Sequence, residues 1–201
     1  MAFNKILSFK IWNYFWNKYK INNFNTKTSK MAKVLMVIAN NGFQDYEFWI
    51  PFDMLNSAWV DVVVWAGRKW ECVGVFGSKT IADIELEKIS GANYDMVLFI
   101  WWWWAYSQYF HNKDYLRIAR ESKKIWAICV APMILSESGI FNGKNVTAWD
   151  QNGVQKRFIQ ENGWFWVNKD VVVSGNIVTA NWPAAAEEFA RKCLEQLKIK
   201  S

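Results

Sequence analysis

A chain of 201 residues, 52% of them hydrophobic, can bury roughly 70% of its unfolded surface around one core and needs neither metal nor disulfide to hold it. Of the 24 basic side chains, six lie in residues 1–30, which carry no acid; the remaining 18 are balanced by 18 acidic ones, so the case for a nucleic-acid surface is lost. Three cysteines without CxxC spacing (Cys72, Cys129, Cys193) and a single histidine, His111, point to a reduced, cytoplasmic chain and argue against a metal site.

Residues 1–30 read as a basic, aromatic extension that precedes a second methionine, Met31, and lacks the continuous apolar stretch of a secretory signal. Two readings stay open for it: a tail or misplaced start, and an amphipathic surface anchor using Phe3, Ile6, Leu7, Ile11 and Tyr14. Residues 31–201 alternate strands and helices as one domain. Lys33–Ala39 is a short apolar strand, and Asp45–Ser57 has helical spacing through Phe48, Phe52 and Leu55. A strand at Asp61–Val64, an arm at Glu71–Asp83 and a strand at Asp95–Ile100 follow. Next come a helix at Lys113–Lys123, a strand at Lys124–Cys129 and a helix starting at Pro132, where proline suits the first turn. Val146–Trp149 reads as a strand, Val154–Asn162 as a helix, Val171–Val173 with Ile177–Ala180 as a hairpin, and Pro183–Leu197 as the closing helix. Strands apolar on both faces and separated by helices predict a mostly parallel sheet covered on both sides. No stretch reaches the length of a membrane span.

Tryptophan occurs 15 times against 10 glycines, often where a turn calls for glycine. Trp59 follows the end of a predicted helix, where a left-handed glycine is usual. Trp164 follows Asn162-Gly163, Trp182 lies between Asn181 and Pro183, and Trp101 to Trp104 form a run just past an apolar strand. Four indoles of roughly 150–250 Å² each cannot all be buried in one tight turn. The pattern predicts that many of these positions are glycine in the source cell, through a UGA codon decoded as glycine.

In an open α/β sheet, sites form beyond the carboxyl ends of the strands. Three such ends stand out: Asn40 to Glu47, Trp101 to Trp104, and Cys129. The segment Ala127-Ile128-Cys129-Val130-Ala131-Pro132 turns sharply from strand to helix with the cysteine at its apex. A thiol held at a helix N-terminus is expected to ionise more readily than a free one, although a lone cysteine is commonly structural.

The combination KVLMVIA with FQDYEFWIP, DIELEKI, DMVLFI before the tryptophan run, and AICVAP resembles the ThiJ/PfpI superfamily over about residues 33–197. Its members include deglycases, glyoxalases and intracellular peptidases. The resemblance implies a flavodoxin-like three-layer α/β sandwich, with homodimers or larger rings. It implies Cys129 as nucleophile and Glu47, four residues before Pro51, as a protonated carboxyl bonded to its sulfur. Backbone N–H groups of Trp101, Trp102 and Val130 would form the oxyanion hole, and no cofactor is required. Two departures matter: Val130 stands where the peptidases carry a histidine base, and Trp149 lies near where the deglycase branch carries another. His111 is tied to the cysteine by no pattern and reads as a surface residue; Cys72 and Cys193 read as structural.

The leading expectation is an enzyme whose Cys129 adds to a small reactive carbonyl, such as a 2-oxoaldehyde or its protein adduct, in stress protection. Alternatives are a PfpI-like cysteine peptidase, a redox sensor or holdase whose Cys129 is oxidised, and an inert scaffold.

Overall fold

The structure is a computed structural model that describes residues 31–67, 70–83, 89–102, 106–139 and 142–198. The predicted extension 1–30, most of the DIELEKI segment, and Trp103 and Trp104 lie outside the described residues.

A six-stranded sheet organises the unit from Met31 onward. Its strands are β1 (Lys33–Ile38), β3 (Asp61–Trp65), β6 (Met96–Trp101), β7 (Ile125–Cys129), β10 (Val171–Ser174) and β11 (Ile177–Ala180). The order is β10-β11-β7-β6-β1-β3, parallel throughout except for the β10/β11 hairpin at one edge. Every residue of β6 and β7 is buried. Successive side chains of a strand point to opposite faces, so both faces of the central sheet are covered, as the unbroken apolar runs predict.

Two groups of helices provide that cover. Helices α1 (Asp45–Ser57) and α6 (Ala186–Leu197) pack together, while α3 (Lys113–Glu121), α4 (Ala131–Ser136) and α5 (Val154–Glu161) form a second group; α2 is the short Tyr106–Tyr109. Outside the main sheet, β2 (Asn41–Phe43), β4 (Glu71–Gly74) and β5 (Lys79–Ile81) make the predicted arm, and β8 (Asn145–Val146) pairs with β9 (Phe165–Trp166). The arm is pinned to the start of α1 by Asp45, whose buried carboxylate accepts from the Phe76 and Ser78 N–H groups at 2.8 and 3.0 Å. A Cβ on Gly74 would lie 2.5 Å from that carboxylate, so only glycine lets β4 approach.

Three sequence expectations change. The strand expected at Val146–Trp149 stops at Val146, because the chain then leaves its partner and the Trp149 N–H donates to the Cys129 carbonyl at 2.9 Å. The last helix begins at Ala186, preceded by a 3-10 turn at Pro183–Ala185. Trp101 belongs to β6 itself, paired in register with Cys129, rather than to the turn after it.

Tryptophan fits this core poorly. The indole N–H groups of Trp65, Trp101 and Trp126 are buried without a hydrogen-bond partner. Each such orphan costs about 1–3 kcal/mol. Trp101 is otherwise well surrounded, stacked on Tyr109 at 5.2 Å and edge-on to Phe99 and Tyr115.

Candidate active site

Strands β1, β6, β7 and β11 are parallel neighbours, so their carboxyl ends share one edge of the sheet. The three strand ends singled out in the sequence therefore meet, and a fourth joins them: β11, followed by Asn181 and Trp182. The sequence marked Trp182 as turn chemistry but not as a neighbour of the cysteine, because the order of strands in the sheet differs from their order along the chain.

Cys129 closes β7 with φ +63°, a conformation that non-glycine side chains rarely adopt and that costs about 1–3 kcal/mol. The chain turns there directly into α4, with Pro132 in its first turn. This is the sharp strand-to-helix bend expected of a nucleophile elbow. The Val130 N–H interacts with the Cys129 sulfur.

Glu47 reaches the same place from α1. Gln44 caps that helix, its side-chain oxygen accepting from the Glu47 N–H at 2.9 Å. Pro51, inside the helix, has no N–H to close the usual bond onto the Glu47 carbonyl, which loosens the turn that carries the carboxyl. The Glu47 side chain is fully buried, and its carboxyl interacts with the Cys129 thiol. Neither carboxyl oxygen completes a hydrogen bond of good geometry, so the group retains capacity for a further partner.

Burial pushes the Glu47 carboxyl well above the ordinary carboxylate range, with the contact to Cys129 acting against it. The group is therefore held neutral, able to donate a proton. Burial also raises the Cys129 thiol, helped by the charge that Glu47 would carry and opposed by the Val130 N–H. With Glu47 neutral that charge disappears, and burial remains the largest influence. The expected easing of thiol ionisation is not found in this closed arrangement: α4 has only six residues, and its dipole does not offset the loss of water around a thiol that is 1% exposed.

The remaining positions separate clearly. Trp102 is the first residue past β6, and its ring lies 6.5 Å from that of Trp182. His111 is exposed and pairs with Glu137 at 2.9 Å, as a surface residue should. Cys72 lies buried in β4 and Cys193 buried in α6. Among the described residues no cluster of His, Cys, Asp or Glu could hold a metal ion, and no helix is long and apolar enough to cross a membrane.

Comparison with known proteins agrees with this fold. The model of the DJ-1/PfpI family matches residues 32–196. The chain is similar to protein dj-1beta of Drosophila melanogaster, 30% identical over 173 residues that cover 83% of this chain and 90% of that one. A deglycase of Pyrococcus horikoshii is 28% identical over 170 residues, covering 83% of this chain and 99% of its own. The solved ThiJ/PfpI domain protein of Brachyspira murdochii has the same fold, with a TM-score of 0.78 at 23% identity over 86% of this chain and 100% of that one.

Proposed function

Starting from the fact that this chain belongs to the DJ-1/PfpI family, we propose that it is a cofactor-independent enzyme in which Cys129 attacks small reactive carbonyls such as 2-oxoaldehydes. The observation that carries the reading is the fully buried Glu47 carboxyl, which burial pushes upward, set against a cysteine at a left-handed bend. A site that stores backbone strain and a buried carboxyl together is poised for chemistry.

In the first step the Cys129 sulfur forms a bond to the aldehyde carbon, and the carbonyl π pair moves onto oxygen. The thiol proton finishes on that oxygen, so the product is a hemithioacetal with no atom lost. Glu47 relays the proton, while backbone N–H groups at Val130 and at the 101–102 junction stabilise the developing oxyanion. A reactive aldehyde needs no stronger base, and this matters because Val130 supplies none. That absence is also why amide hydrolysis is the weaker reading.

Pairing of two copies belongs to the same reading. Tyr46 on α1 packs against Phe76 on the arm at 5.8 Å, and both are more than half exposed. Sedimentation of the purified chain should show a dimer.

The decisive test is methylglyoxal consumption by the purified protein and by Cys129→Ala. Loss to background in the variant is expected; equal rates would remove the proposal.

A further inference from the structure

Two helices of this chain end in the same hydrogen-bonded motif, and the comparison exposes a misfit. At the end of α5 the Gly163 N–H donates to the Gln160 carbonyl and the Trp164 N–H to the Ile159 carbonyl. At the end of α1 the Trp59 N–H donates to the Asn56 carbonyl and the Val60 N–H to the Leu55 carbonyl. Both are Schellman ends, in which the first residue past the cap must be left-handed. Gly163 sits there at φ +84°, but Trp59 at φ +59°. A left-handed L-residue costs about 1–2 kcal/mol. Trp59 recovers little of it, since it is 82% exposed. The motif also clears Trp164: it occupies the following position, which favours a buried apolar residue, as Val60 does in α1.

A second misfit lies over the site. Strand β7 runs between β6 and β11, and Cys129 is its last residue. Trp102 leaves β6 and Trp182 follows β11, so their rings, 6.5 Å apart, meet across the end of β7. This places one indole past each flanking strand end, where together they would roof the cysteine, which is 1% exposed.

We propose that the protein made in its source cell carries glycine at positions 59, 102 and 182, decoded from UGA codons, and that the two glycines beside β7 open Cys129 to its substrate. One cause then accounts for a strained helix end and a covered nucleophile that share no contact. The opening rests on the reading of Cys129 as the nucleophile; the identity of the residues does not.

The test has two arms. Tryptic peptides of the protein purified from its source cells, read by mass spectrometry against the coding DNA, should show glycine at 59, 102 and 182 over UGA codons. Tryptophan over UGG at these positions would overturn the proposal, whatever any variant does. In the recombinant tryptophan form, the double variant Trp102→Gly/Trp182→Gly should react with a disulfide reagent at Cys129 on the order of tenfold faster than its parent, because labelling of a buried thiol waits for local opening. Cys129→Ala in each background subtracts the reaction of Cys72 and Cys193. An unchanged rate would overturn the roof. A glycine form that labels rapidly yet consumes no methylglyoxal would sink the carbonyl chemistry alone.

Discussion

Helices α1 and α5 end in the same motif, yet one carries stress and the other does not. α1 buries Glu47 in its first turns, contains Pro51, and closes on Trp59 in a left-handed conformation. α5 starts after Gly153, closes on Gly163 and turns much of its surface to water. The contrast separates two kinds of cost. The stress at Glu47 faces Cys129, where the proposed chemistry would use it, whereas the stress at Trp59 is on the surface, far along the helix, and has no such use. Strain without a functional counterpart argues that the residue is wrong for the position, not that the position is special.

The comparison can be broken experimentally. Glu47→Gln should have the largest effect. The folded chain retains a proton that the unfolded chain releases above the ordinary value of 4.5, so the parent's stability is intact below that pH and declines as pH rises toward the folded value. Glutamine does not titrate, and the stability gap should widen in favour of the variant by about 1.4 kcal/mol per pH unit across that window. Urea midpoints from pH 4 to 8 measure this; parallel curves would mean that Glu47 is not held neutral.

Gly163→Trp should come next, destabilising by about 2 kcal/mol, because it imposes the α1 stress on α5. Asn142 must also give way, since its side-chain amide lies 3.3 Å from where the Cβ would be. Trp59→Gly should have the smallest effect, a gain of about 1 kcal/mol after the entropy of glycine is subtracted. Both changes should be independent of pH, which sets them apart from Glu47. A loss of stability in Trp59→Gly would show that the indole makes up its own backbone cost.

Much of this fold was legible because local patterns and tertiary need coincide. Asp45–Ser57 is a helix over the predicted span, since its apolar spacing, the Gln44 cap and the acidic first turn agree. The buried strands announced themselves as β-branched runs, and the elbow at Cys129 as a strand meeting Ala131-Pro132. Other features were not local. Val146–Trp149 has strand composition, but its last residues serve Cys129 instead of a ladder. The short β2 has no apolar pattern and exists because it pairs with β4.

Residue order alone therefore determined most of the element sequence, the parallel α/β class and the bend at Cys129, because hydrophobic period and turn chemistry act over a few positions; Glu47 stood out only through the family resemblance. Only the assembled sheet decided that β11 would stand beside the cysteine, that Trp102 and Trp182 would meet across it, and that burial would outweigh a six-residue helix in setting the thiol. Desolvation and strand adjacency are properties of what the chain packs against, and they arise only when distant segments come together.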